Sequence, residues 1–333
     1  MKIRVLQVGL GPIGIAVAKQ VVARPGFELV GAVDIDPRLR DRDVGELLAL
    51  DRPLRMKVAA DVGRVIRASR PDVAVLCTAS SLKAALPLME DVVKRRVPFV
   101  TTTEEAAYPS PRNRRLAARL DALARRAGVA VLGTGVNPGF AMDALPVALS
   151  AACERVDRVD AWRVQDARMR RQPFQQKIGA GMTPVEFRRG VEAGAVRHVG
   201  FAESIQMIAD ALGWRLDRIT DNVAPKIATA RVSSEFFAVE RGQVAGLVQD
   251  GVGYVGGVRR ITLRLEAYLG APEPYDEVTI DGSPRLQSRI AGGIHGDIAT
   301  VSLTVNALPA VITAPPGLRT MRDMQLPSFY GGR

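Results

Sequence analysis

The chain has 333 residues, enough for two domains and a sizeable core, and its 46 Lys plus Arg against 35 Asp plus Glu leave a formal net charge of +11. Apolar residues at 47% and charged residues at 24% are ordinary globular values and exclude a disordered or fibrous chain. Seven of the basic residues are Lys, and the Arg excess is scattered in pairs such as Arg95-Arg96 and Arg259-Arg260. Without a basic tail or interleaved aromatics, that scatter favours a solvated surface over binding of nucleic acid or an anionic membrane. Cys77 and Cys153 lie in apolar stretches as small core residues, and His198 and His295 leave no zinc-ligand spacing, so no metal is expected. The N-terminus runs directly into a strand, without the regions of a signal peptide, and no apolar run approaches the roughly 20 residues of a membrane span. The expectation is a soluble, cytoplasmic protein.

In chain order, Ile3 to Gly9 is a mostly apolar run ending at glycine, as a buried parallel strand would. Pro12 to Arg24 then carries Ile13, Ala16, Val17, Gln20 and Val21 at helical spacing, stopped by Pro25-Gly26. Leu29 to Val33 and Asp72 to Thr78 predict strands, and Leu82 to Arg96 a helix that Pro87 would kink. Val97 to Thr102 predicts a strand, Arg112 to Ala127 a helix and Val129 to Gly133 a further strand. Alternating strands and helices argue for a parallel sheet with crossover helices over residues 1–140.

Beyond about residue 150 the pattern changes. Val156 to Ala167, Ile227 to Val239, Ile261 to Leu269, Glu277 to Ile280 and Ile298 to Val305 are β-branched, alternating runs. Helical stretches at Pro184 to Glu192 and Glu203 to Leu212 sit among them. The expected fold is α/β: a parallel-sheet domain, then an α+β domain with a largely antiparallel sheet over residues 141–307. Its long strands favour sheet-to-sheet pairing as a homodimer. The four-proline tail at 308–333 has no strand pattern and is expected to pack back on the first domain.

Gly9-Leu10-Gly11-Pro12-Ile13-Gly14 fits G-x-G-x-x-G. The string alone is weak. Here it follows a predicted strand, opens a predicted helix and meets Asp34, 20 residues after Gly14 at the end of the second strand. That context is the Rossmann dinucleotide fingerprint. Gly9 permits the turn, Gly11 lets the backbone approach a pyrophosphate, Gly14 allows close helix–strand packing, and the helix N-terminus offers N–H groups to the anion. Asp34 would accept from the ribose hydroxyls, which favours NAD(H) over NADP(H), although Arg38 and Arg40 lie within reach of a 2′-phosphate.

Open α/β sheets bind ligands beyond the carboxyl ends of their strands. One such end, Cys77 to Ser81, places Thr78, Ala79 and Ser80 along the path of the ribose and nicotinamide, with a helix-cap role as the competing explanation. The next, Thr101 to Glu105, brings a carboxylate to the mouth of the crevice. Glu104 is the candidate for proton transfer or charge stabilisation. Adjacent acids cannot both face the crevice, so one of Glu104 and Glu105 is expected to serve a helix start instead.

Four separated stretches carry a resemblance: Thr101 to Pro109, Gly133 to Asp143, His198 to Ser204, and Pro316 to Met321. Together they are similar to the 2,4-diaminopentanoate dehydrogenase and native amine dehydrogenase family, distant relatives of dihydrodipicolinate reductase. The paired-histidine and Ser-Gly-Thr motifs of that reductase are absent. The resemblance implies NAD(P)-dependent oxidative deamination of an amine or diamine to a ketone and ammonia, and the reverse reductive amination. It maps the family's catalytic glutamate onto Glu104, gives Asn137 the nicotinamide carboxamide or adjoining backbone, and makes Phe140 an apolar wall beside the reacting carbon. Gln165 and His198 are further substrate-pocket candidates, and Asp166, Glu203 or Asp297 would supply the anionic contact that a diamine needs. Two other readings stay open: a reductase of a cyclic imine, and a cofactor-binding sensor without catalysis.

Overall fold

The computed structural model describes residues 2–332; Met1 and Arg333, at the outer limits of the expected domain bounds, lie outside them. The chain divides into two compact units, Met1–Gly139 with Ile298–Arg333, and Phe140–Asp297.

In the first unit β1 (Ile3–Val8) leads into α1 (Pro12–Ala23). Pro12 suits the first helical turn, because its missing N–H has no intrahelical partner to lose there. β2 (Phe27–Val33) returns parallel to β1, with Ile3 opposite Phe27 and Val8 opposite Val33. Two short helices then precede the next strand. In α2 (Val44–Leu47) the Asp43 carboxylate accepts N–H bonds from Gly45, Glu46, Leu54 and Met56, and α3 (Val62–Ser69) is capped by Asp61. β3 (Val73–Leu76), β4 (Phe99–Thr101) and β5 (Ala130–Gly133) are buried along their whole length, which is why they read as continuous apolar runs. α4 (Leu82–Lys94) continues through Pro87, and α5 (Arg114–Ala127) ends on Gly128 at φ 72°, a left-handed cap that glycine adopts without strain. Leu6, Leu76, Met89, Phe99 and Leu120 form the centre of this unit's core.

The second unit opens with α6 (Ala144–Ser150) and β6 (Arg155–Asp166), then α7 (Gln172–Lys177), α8 (Pro184–Glu192) and α9 (Phe201–Ala211). A reciprocal cap between Thr183 and Glu186 starts α8 at the predicted residue. β7 (Arg218–Ile227), a small hairpin of β8 (Val232–Ser233) and β9 (Ala238–Val239), and then β10 (Val244–Val255), β11 (Val258–Tyr268), β12 (Tyr275–Ser283) and β13 (Leu286–Ala291) follow. The main sheet runs β13-β12-β6-β11-β10-β7, antiparallel except for the β6–β11 pair. The single strand expected over Ile227 to Val239 is therefore the end of β7 plus the hairpin. β7 and β10 are hidden in the sequence by residues that usually break strands. Pro225 is tolerated in β7 because that strand lies at the sheet edge. Gly251 and Gly253 in β10 make room for α9: a Cβ at these positions would stand 2.7 Å from the Phe201 ring and 2.8 Å from Ile205.

The run Ile298 to Val305, expected as a strand, is instead part of α10 (Gly296–Thr313). Val301, Thr304, Val305, Leu308 and Val311 are among its buried residues, a helical spacing that its β-branched composition disguised. Gln20 Nε2 donates to Ser302 Oγ at 3.3 Å and Arg24 to Asn306 Oδ1 at 2.5 Å, seating α10 against α1. Against expectation, this one described helix is long and apolar enough to cross a membrane; those bonds to α1 make it a packed helix of the first unit. The tail also contains a strand, β14 (Gly317–Arg319), parallel to β5, and Tyr330 packs on Phe27. The first sheet is thus all parallel, in the order β14-β5-β4-β3-β1-β2.

Candidate active site

The order of the first sheet reverses at β1, which pairs with β2 on one side and β3 on the other. At such a switch point the connecting loops leave in opposite directions and open a crevice beyond the strand ends. The glycine turn lies there. Gly9 has φ 87°, and a Cβ on it would collide with the carbonyl of Cys77, the residue that follows β3. A Cβ on Gly14 would collide with the Gly9 carbonyl, so that glycine is required by the contact between α1 and its own turn. Gly11 differs: it has ordinary extended backbone, and a Cβ there would meet nothing within 4 Å. The fold gives no reason for glycine at 11, whereas a phosphate brought against the backbone does. The Gly11 cradle, followed by Pro12, Ile13 and the start of α1, fits a dinucleotide pyrophosphate.

Asp34 follows β2 and faces this turn. Its Oδ2 accepts the Leu10 N–H at 2.6 Å and its Oδ1 the Asp36 N–H at 2.8 Å. The carboxylate is held in place by main chain and keeps further lone pairs for hydroxyl donors. Arg38 is turned onto Asp36, whose carboxylate accepts from its Nε and terminal nitrogen at 3.0 and 2.7 Å. That guanidinium holds the Asp36 carboxyl below its ordinary range. Arg40 is exposed, and Ile35 stands 90% exposed between the two acids.

The ends of β3, β4 and β5 follow in order from the turn along the sheet. Thr78 is exposed, Ala79 and Ser80 half-buried. Burial pushes the neighbouring Cys77 thiol up to about 11, so it stays protonated. Thr101 and Thr103 are internal: the Thr101 hydroxyl donates to the Leu76 carbonyl at 3.0 Å and lies 2.9 Å from the Thr103 hydroxyl. Glu104 and Glu105 begin a single 3-10 turn, Glu104–Ala106. Glu105 Oε2 accepts the Leu82 N–H at 2.8 Å, at the start of α4, so Glu105 is the acid that serves a helix N-terminus. Glu104, the first residue of the turn, is half-buried. After β5, the Thr134 N–H donates to the Thr101 carbonyl, Val136 N–H to Thr300 Oγ1 at 3.3 Å, and Asn137 enters the turn through a cis bond to Pro138.

The second unit carries a different kind of site. Val159, Ala161, Arg163 and Gln165 alternate onto the buried face of β6. The Arg163 side chain, 2% exposed, pairs with Asp276 at 2.8 Å and donates to the Ile294 carbonyl at 2.7 Å. Burial lowers the Arg163 pKa to about 10, and burial likewise raises Asp276. Arg170 donates to Gln165 Oε1 at 2.6 Å and to Asp297 at 3.1 Å. His198 packs edge-on to Phe201. Burial, then the positive charges of Lys177, Arg163, Arg170 and Arg197, hold it neutral, well below the usual histidine range.

Gln165 and His198 thus share one cationic neighbourhood, while Phe140 lies at the start of α6, where its carbonyl accepts the Leu145 N–H. Asp166 is occupied by Arg168 and the Gly270 N–H, and Asp297 by Arg170 and Arg171. Asp166 and Asp297, both expected as contacts for a distal ammonium, are therefore engaged in ion pairs. Arg163, Arg170 and Asp276 were missed in the sequence; the period-two pattern of β6, which turns Arg163 inward with Val159 and Ala161, is the signal that marks them. Among the described residues no cluster of metal-ligating side chains occurs.

A parallel sheet with a glycine-rich turn at its switch point is the architecture of the Rossmann class. A family model described as the 2,4-diaminopentanoate dehydrogenase C-terminal domain matches residues 140–332. The 2,4-diaminopentanoate dehydrogenase of Acetoanaerobium sticklandii is 33% identical over 337 residues, covering 99% of this chain and 96% of the relative. An amine dehydrogenase of Streptomyces virginiae is 27% identical over 351 residues, with 97% and 96% covered. The solved amine dehydrogenase from Mycobacterium smegmatis has a TM-score of 0.89 at 26% identity, over 100% of this chain and 99% of that one. The chain belongs to the 2,4-diaminopentanoate dehydrogenase family.

Proposed function

We propose that the protein is an NAD(P)-dependent amine dehydrogenase, which deaminates an amine or diamine to a ketone and ammonia and runs the reverse reductive amination. The observation that carries this reading is Glu104, three residues past the end of β4 and next to Glu105, whose N–H donates to the Ser80 carbonyl beyond β3. Family membership supports the amine substrate. Gly11, Asp34, Thr78, Ala79, Ser80 and Asn137 would hold the nicotinamide dinucleotide, which supplies the hydride acceptor or donor. When the amine carbon loses hydride it becomes an iminium cation, and the Glu104 carboxylate stabilises that charge. Glu104 then takes a proton from the attacking water and returns one to the departing ammonia. NAD(H) is favoured over NADP(H) because Asp34 cannot swing away from Leu10 and Asp36 without losing two N–H bonds, and Asp36 engages Arg38. Phe140, Gln165 and His198 are the proposed substrate contacts of the second unit.

The protein is expected to act as a homodimer joined through the sheet face that exposes Trp162, and light scattering should give twice the chain mass. The test of function is a screen of amines with NAD⁺ and NADP⁺. Reduction of NAD⁺ by an amine supports the reading. Turnover of cyclic imines alone would replace it with the reductase, and cofactor binding without any turnover would replace it with the sensor.

A further inference from the structure

We propose that Glu105 is a positioning residue, which ties the Ser80 turn and the start of α4 to the backbone that carries Glu104. The proposal rests on the assignment of catalysis to Glu104. On a 3-10 turn successive side chains diverge by a third of a circle, so two adjacent acids face different surroundings. The Glu105 carboxylate reaches α4, where Oε2 accepts the Leu82 N–H at 2.8 Å. Ser81, the residue at the cap of that helix, makes no side-chain cap bond. An amide at the helix start is thus satisfied from another segment, by a negative charge in the place the helix dipole favours.

The main chain of Glu105 completes the tie. Its N–H donates to the Ser80 carbonyl at 3.2 Å, and its own carbonyl accepts from Asn113 Nδ2 at 2.6 Å. The Asn113 side chain in turn accepts the Ser110 N–H at 2.8 Å. Beside this, the Glu104 carbonyl receives the Ala107 N–H at 3.1 Å, closing the turn. Glu105 therefore fixes the spacing between the residues proposed to line the cofactor path and the carboxylate proposed to act on the substrate. A shift of an ångström in such a spacing is enough to lower a rate about 100-fold.

Two variants separate positioning from proton transfer. Glu105→Gln keeps an oxygen that accepts the Leu82 N–H, whereas Glu105→Ala removes it. Turnover, KM for NAD⁺, the pH–rate profile and NAD⁺ affinity by calorimetry are measured for both and for Glu104→Gln. The expected result is a loss of no more than about threefold in Glu105→Gln. Glu105→Ala is expected to lose about 10- to 100-fold in kcat and about tenfold in NAD⁺ affinity, with the pH profile keeping its wild-type limbs. Loss of turnover and of a pH limb in Glu105→Gln would overturn the proposal, because Glu105 would then transfer the proton itself. Unchanged constants in Glu105→Ala would overturn it as well. If Glu105→Ala does not fold, Glu105→Asp decides, since it keeps the charge one methylene short of Leu82. A reduced form of the same pattern supports the proposal and unchanged constants overturn it. Full turnover in Glu104→Gln would instead defeat the catalytic assignment, independently of the Glu105 results.

Discussion

Two sets of carboxylates, one in each unit, are held in different ways. In the first, Asp34, Asp43 and Glu105 accept bonds from main-chain N–H groups at turns and helix starts. In the second, Asp276, Asp297 and Asp221 are held by the guanidinium groups of Arg163, Arg170, Arg171 and Arg197, around a neutral His198. Main-chain donors are fixed by the fold itself, and removing the acid leaves an N–H group without its acceptor, typically at about 1–3 kcal/mol. Buried ion pairs depend on both partners, and removing one leaves the other charge unsolvated. Asp34 and Glu105 thus sit on fixed backbone at strand ends, while Asp276, Asp297 and Asp221 neutralise the guanidinium groups packed against them.

The largest effect that would sharpen this contrast is Glu104→Gln. It should lower kcat by about 100- to 10,000-fold, while the urea unfolding midpoint and NAD⁺ affinity stay at wild-type values. Arg163→Met should do the reverse in kind, costing about 3–5 kcal/mol of stability by stranding buried Asp276, read as a shift of the urea midpoint. A pair of glycine substitutions separates fold from ligand within one turn. Gly14→Ala should destabilise the protein through collision with the Gly9 carbonyl. Gly11→Ala should leave the unfolding midpoint unchanged and weaken NAD⁺ binding in calorimetry; equal effects at the two positions would contradict the cradle.

His198 supplies a smaller effect, with a definite sign. Its folded pKa is depressed, so below about pH 6.5 the unfolded chain takes up a proton that the fold refuses. Stability should fall as pH drops from 7 toward 5, with a slope of at most about 1.4 kcal/mol per pH unit from this group. Unfolding of His198→Asn over the same range should lack that part of the slope. The smallest change expected is in cofactor choice. Asp36→Ala removes a negative charge and releases Arg38, and should shift the ratio of NADP⁺ to NAD⁺ affinity about fivefold toward NADP⁺. Asp36→Ala combined with Arg38→Ala should retain less of that shift.

The same contrast explains what could be read from residues alone. β3, β4 and β5 are legible because each is buried on both faces and therefore almost wholly apolar, and β1 because only Arg4 and Gln7 interrupt its apolar run. The glycine turn is legible because strand, helix and Asp34 stand at a fixed spacing around it. β10 is not, since Gly251 and Gly253 look like breakers until the Phe201 and Ile205 side chains occupy their places. α10 is not, since Val301, Val305 and Val311 suit a strand as well as a helix, and only packing against α1 decides. The division of labour between Glu104 and Glu105 depends on where the Leu82 amide lies in space, which no local pattern encodes. The ionic network of the second unit joins residues as far apart as Arg170 and Asp297, so only the alternation around Arg163 hinted at it.

The central claim, that this chain exchanges amines and ketones with Glu104 at the reacting centre, is tested most directly by NADH oxidation with a panel of ketones, with and without ammonium. Consumption of NADH only when ketone and ammonium are both present, and its loss in Glu104→Gln, is the predicted result. Ketone reduction at the same rate without ammonium, or ammonium-dependent turnover that survives Glu104→Gln, would contradict it.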